Sequence, residues 1–190
     1  MKALDVHLAV APALRQQRRV TPPELPIRDA REIDAEAIAA IYAHHVLHGT
    51  ASFDTEPPRV EHIRSKIHAV LDAGWPFLVA ERGGGVIGYA YATQFRDRPA
   101  YRFACENSIY VHPDCMGQGI GKRLLQALMV RSAERGFKTM VAVIGGGEPA
   151  SVALHAGCGF EEVGRLRRVG WKKERWLDSV YMQRDLPEVR

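Results

Sequence analysis

Apolar residues along this chain recur at helical spacing in several stretches and as short runs between them, the alternation of an α/β domain. Asp34 stands as the N-cap of a first helix reaching about Leu47, with Ile33 and Ile38 as a hydrophobic staple. A second helix carries Val60, Ile63, Ile67, Val70 and Leu71 on one face and stops at Gly74. In the third, Ile120, Leu124, Leu125, Leu128 and Met129 share a face, Lys122, Arg123 and Gln126 lie elsewhere, and Gly136 ends the run. A short fourth helix covers about Pro149 to Ala156. Between them, a strand is expected around Pro26 to Arg28, FLVAE and VIGYAYAT form a hairpin about RGGG, and CENSIYV and TMVAVI continue the sheet. SVYMQR near the end supplies at least one more strand. With no internal repeat, residues 26–187 read as one domain. Residues 1–25, with LRQQRR and TPPELP, read as a flexible tail or linker.

Composition narrows the class of protein. A chain of 190 residues with 46% apolar content buries a core without disulfides or metals. Cys105, Cys115 and Cys158 show neither metal nor redox spacing, and their odd number argues against a disulfide framework, so a reducing cytoplasm is expected. The formal charge of +4 is spread out, which suits a phosphorylated ligand and gives no reason to expect nucleic acid. No segment approaches the roughly 20 consecutive apolar residues of a membrane span, so no membrane partner is expected.

The densest chemistry lies in NSIYVHPDCMGQGIGKRLLQAL, residues 107–128, where an apolar strand passes through glycines into the third helix. Gly117, Gly119 and Gly121 allow close backbone approach to an anion, the helix N-terminus attracts it, and Lys122 adds a full charge. A Walker A loop is excluded by Met116 and Arg123 at its required Gly and Ser/Thr places, and the dinucleotide fingerprint by its spacing. The stretch Met116, Gly117, Gln118, Gly119, Ile120, Gly121 resembles the pyrophosphate loop Q/R-x-x-G-x-G/A of the GNAT acetyltransferases, with Met116 where Gln or Arg is usual. TASFDTEP, AYRFACENSIYV, GFKTMVAVIG, SVALHAGCGF and GWKKERWLDSVYMQR extend the likeness over about residues 26–187, to the phosphinothricin acetyltransferase group.

That resemblance implies a mixed, mostly antiparallel twisted sheet with helices on both faces and a splayed strand pair that binds acetyl-CoA. It implies acetyl transfer to the amino group of a small amino acid such as phosphinothricin, methionine sulfoximine or methionine sulfone, by direct attack in a ternary complex. A cytoplasmic homodimer conferring antibiotic or herbicide resistance goes with it, and no metal. Backbone groups of Ile109, Tyr110 and Val111 are then expected to hold the pantetheine arm and face the thioester oxyanion. Ser151 and Glu148 fall where relatives contact the pantetheine, Glu148 replacing a usual Asn, so a carboxylate would accept where an amide donates.

An ammonium ion cannot attack a thioester, so a proton acceptor is required, and Glu106 is the candidate base, with burial raising its pKa. His155 replaces the Tyr of L-Y-x-x-x-G-F, as acid toward the departing thiolate or as a binding residue. Arg96 and Arg98 suit a substrate carboxylate, with Tyr101, Phe53 and Thr50 as further acceptor-side residues. Trp171 and Trp176 are expected at the C-terminal edge or a dimer interface. His44, His45 and His48 lack the Glu of a zinc motif and are expected to be solvated or capping. Cys105 is expected to pack rather than carry an acyl group. The alternatives are a GNAT enzyme acting on protein N-termini or polyamines, and a silent acyl-CoA-binding module.

Overall fold

The computed structural model describes residues 25–188. The expected tail, residues 1–25, lies outside the described residues except for Leu25, whose side chain is buried in the core and whose carbonyl accepts from Arg123. Seven strands form one sheet in the order β1-β2-β3-β4-β5-β7-β6: β1 Ile27–Asp29, β2 Phe77–Arg82, β3 Gly85–Gln94, β4 Ala104–Val111, β5 Thr139–Gly145, β6 Glu161–Lys172 and β7 Arg175–Asp185. Every neighbouring pair is antiparallel except β4 and β5. This is the mixed, mostly antiparallel sheet anticipated above.

Alternation along the strands sends side chains to two cores. Phe77, Val79 and Tyr89 pack under α1 Ala35–His48 and α2 Val60–Asp72. Leu78, Ala80, Ala90 and Ala92 pack under α3 Ile120–Glu134, against which α4 Pro149–Ala156 adds Val152 and Leu154. The β2–β3 turn falls on Gly83 and Gly84, whose φ values of 59° and 80° are those of a two-residue hairpin loop.

Two local expectations fail, and one is extended. Asp34 makes no side-chain cap to α1; its carboxylate accepts from both guanidinium nitrogens of Arg28 and from the Arg31 amide. Ile33 is 79% exposed while Ile38 is fully buried, so no staple joins them. The chain also ends in two strands: β6, nearly all exposed and rich in charge, precedes the anticipated β7. Trp171 and Trp176 face each other across that edge hairpin, rings 5.3 Å apart and each more than half exposed.

Candidate active site

Strands β4 and β5 pair only from Ala104–Thr139 to Asn107–Ala142, although both run on, to Val111 and Gly145. Phe95 and His112 bond across to Ala104 and Ile87 at the two ends of the β3–β4 ladder. Residues 104, 106, 108, 110 and 112 therefore direct their backbone groups to β3, and Ile109 and Val111 direct theirs toward β5. Beyond Asn107 that strand is no longer there. A wedge opens whose β4 wall presents the N–H and C=O of Ile109 and the N–H of Val111 without a strand partner. The Val111 carbonyl accepts from His45 Nε2–H at 2.8 Å. His45 is thus half-buried and bonded, not solvated, and burial pushes its pKa down against the pull of that carbonyl.

At the mouth of the wedge, Gly117 and Gly119 adopt φ of 73° and 76°, the left-handed region open to glycine. Gly119 caps α3, and no side chain bonds its first amides. No acid stands in that turn either. The positive end of a 15-residue helix is therefore presented bare, the arrangement that holds phosphate. Ile120 is buried and anchors the turn, whereas Met116 and Lys122 are exposed. Gly121 packs against Leu154 of α4, where an added methyl would stand 3.3 Å from the Leu154 Cδ2. Gln118 is held by Arg82 and the Asp114 carbonyl, so its side chain fixes the loop. At α4 the situation is reversed: Glu148 Oε2 accepts from the amides of Ala150 and Ser151 at 2.8 and 3.1 Å. The carboxylate expected to face a ligand amide is a helix cap.

A cavity of about 240 Å³ occupies the wedge, lined among others by Glu106, Ser108, Tyr110, Ser52, Phe53 and His155. Glu106 is part-buried, with Arg96 Nη1 3.6 Å from Oε2. Burial raises its pKa above the ordinary carboxylate value, and the Arg96 charge opposes the rise. Arg98 and Tyr101 stand exposed on the loop after β3 and do not line the cavity, nor does Thr50, which packs against Gly145 and Gly146. Cys105 is buried, with its thiol pushed up to about 12 by burial, and does not line the cavity. Among the described residues no group of His, Cys, Asp and Glu is placed to hold a metal ion.

His155 is 2% exposed and stands against Asn107, which sequence reasoning missed. Asn107 Nδ2 donates to the Val141 carbonyl at 3.1 Å, which turns Oδ1 toward His155 Nε2 at 3.0 Å. The other ring nitrogen lies 2.8 Å from the Ser151 carbonyl. Both contacts are acceptors and satisfy an imidazolium, while burial lowers the pKa and favours the neutral ring. Neither nitrogen is free to face a leaving group. Asn107 carried no signal beyond being a polar residue within an apolar strand.

Residues 27–181 match the acetyltransferase (GNAT) domain family. The chain belongs to that family. This GNAT chain is 50% identical over 161 residues to the phosphinothricin N-acetyltransferase of Alcaligenes faecalis, covering 84% of this chain and 82% of the relative. It is 39% identical over 165 residues to the L-methionine sulfoximine/L-methionine sulfone acetyltransferase of Pseudomonas paraeruginosa, covering 86% and 96%. The crystal structure of a phosphinothricin acetyltransferase from Sinorhizobium meliloti in complex with acetyl-CoA superposes with a TM-score of 0.83 at 45% identity, covering 85% of this chain and 88% of that one. The wedge and the bare α3 terminus both lie within the matched GNAT domain.

Proposed function

We propose that this protein transfers the acetyl group of acetyl-CoA to the amino group of a small amino acid of the phosphinothricin, methionine sulfoximine or methionine sulfone type. The observation that carries this reading is the wedge between β4 and β5 leading to the uncapped N-terminus of α3. Amides of residues 117–122 grip the pyrophosphate, with Lys122 adding charge. The free backbone groups of Ile109 and Val111 align the pantetheine arm as a further strand, and an N–H from this wall meets the oxyanion that forms as the amine attacks. Glu106 takes the ammonium proton, directly or through water. Arg96 pairs with the acceptor's carboxylate, and Arg98 and Tyr101 attend its approach from the loop. His155, fixed by Asn107, shapes the wedge's inner end beside Ser151.

The carboxyl group of a free amino acid gives Arg96, beside Glu106, a partner that an internal peptide unit lacks, which favours a free amino acid over a protein N-terminus. The arginines of FRDR disfavour a polyamine. The exposed β6 edge, with Val163, Leu166, Val169 and Trp171, suits a second copy of the chain, giving a homodimer. Reduced Cys105, Cys115 and Cys158 are in keeping with the cytoplasm, where acetylation of a toxic amino acid would confer resistance. Thiol release from acetyl-CoA, followed across a panel of free amino acids and peptides, tests the reading. Turnover with free amino acids bearing a carboxylate supports it; acetyl-CoA binding by calorimetry with no turnover on any amine would leave a binding module.

A further inference from the structure

Phe53 sits in a slot with a glycine on either side. A methyl group added at Gly145, where β5 ends, would stand 2.9 Å from Phe53 Cε1 and 2.9 Å from the carbonyl oxygens of Thr50 and Ala51. A methyl added at Gly170, in β6, would stand 2.7 Å from Cε2, 2.9 Å from Cζ and 3.0 Å from Cδ2. The two glycines thus grip opposite edges of one ring. Neither has a left-handed φ; at Gly145 the carbonyls of Thr50 and Ala51 stand as close as the ring, whereas at Gly170 the nearest atoms to an added methyl all belong to the ring. The register shift between Leu166 and Gly170 is where the edge hairpin departs from regular pairing just ahead of this contact.

The backbone behind the ring is held equally firmly. Lys172, two residues beyond Gly170 and buried, donates from Nζ to the Ser52 carbonyl at 2.8 Å. Tyr42 shares its hydroxyl with Ser52 Oγ and donates to Asp54, each at 2.7 Å. Yet Phe53 remains 39% exposed and lines the same cavity as Glu106. A ring with fixed edges and one face on the cavity acts as a stop. One edge of the ring meets the end of β5 at Gly145, and the other is set by the edge hairpin at Gly170, far in sequence from the strand that carries the base.

We infer that Phe53 limits how long an acceptor side chain the cavity takes, and that Gly170 is a specificity-determining residue because it sets where that ring stands. This rests on the acceptor reading above. The test is the ratio of kcat/KM for a long acceptor, phenylalanine, to that for a short one, alanine, with methionine sulfone between. Phe53→Ala is expected to raise the ratio about 10-fold or more, and Gly170→Ala, which drives the ring into the cavity, to lower it by about as much. Phe53→Leu in the Gly170→Ala background restores the ratio to within about 3-fold of wild type, while KM for acetyl-CoA stays within about 2-fold throughout.

Ratios unchanged in both single variants of an active enzyme would overturn the inference and leave the functional reading standing. A wild type that acetylates no amino acid in the panel would sink the functional reading, and the inference with it. If Gly170→Ala alone fails to fold, recovery of folding by Phe53→Leu supports the slot, and no recovery overturns it.

Discussion

Glu106 is drawn in two directions: burial favours its protonated form and Arg96 its carboxylate. A base must be deprotonated to work, so the rate should rise with pH through a value above the roughly 4.3 of an unperturbed Glu. Arg96→Gln removes the one neighbouring charge that lowers this pKa, and the acid limb of the kcat/KM profile should move to higher pH. Glu106→Gln should cut turnover about 100-fold or more while calorimetry shows acetyl-CoA affinity intact; full turnover would remove Glu106 from the role. At Asn107, Asp substitution sets a carboxylate against His155 Nε2 and should raise the imidazole pKa, read by NMR titration of the ring, whereas an unshifted titration would break the proposed pairing. The place of Glu106 was legible, since its motif set it in the strand ahead of the glycine loop among apolar neighbours, and the structure puts it on the cavity with burial raising its pKa. Asn107 and His45 were not: a single polar side chain in a strand or helix has no spacing, and its meaning lies in a partner 48 or 66 residues away.

Among the elements, the glycine loop and α3 were legible together: the glycines take left-handed φ ahead of a helix with no acid and no side-chain cap in its first turn, the geometry on which the proposed anion site rests. Gly119→Ala forces a Cβ into φ of 76° at a cost of about 1–2 kcal/mol, which corresponds to roughly 5- to 30-fold weaker acetyl-CoA binding if the loop relaxes away from its cradle. Isothermal calorimetry on the apo protein reads this directly, and an unchanged Kd would deny the loop its part. Other elements hid for physical reasons. Strand β6 has nearly every side chain exposed, so it lacks the alternation that a half-buried strand shows. The Asp34 and Ile33 pattern looked like a cap and staple, but Arg28 from β1 offers the carboxylate a two-pronged partner, and Ile33 is left in solvent.

For the whole molecule, the sheet ends in asymmetric ways. On one side β1 is three residues long and lies beside the Arg131–Asp29 ion pair, which leaves little edge to extend. On the other, β6 runs 12 residues with Val163, Leu166, Val169 and Trp171 exposed, a long apolar-studded edge of the kind that folded chains rarely leave uncovered. Its arginines, Arg165, Arg167 and Arg168, argue against simple aggregation and for a partner whose register is set. The proposed second copy would meet this requirement through a twofold axis, because a self-complementary patch closes without growing. Leu166→Lys combined with Val169→Lys should convert a dimer to a monomer in sedimentation velocity, with helical content by circular dichroism unchanged. Because Gly170 and Lys172 tie the same hairpin to the Phe53 loop, the monomeric variant should also lose acceptor affinity before it loses acetyl-CoA affinity. A wild type that sediments as a monomer at micromolar concentration would refute the assembly. A monomeric variant with an unaltered acceptor KM would instead show that the hairpin holds its shape, and the acceptor wall with it, without a partner.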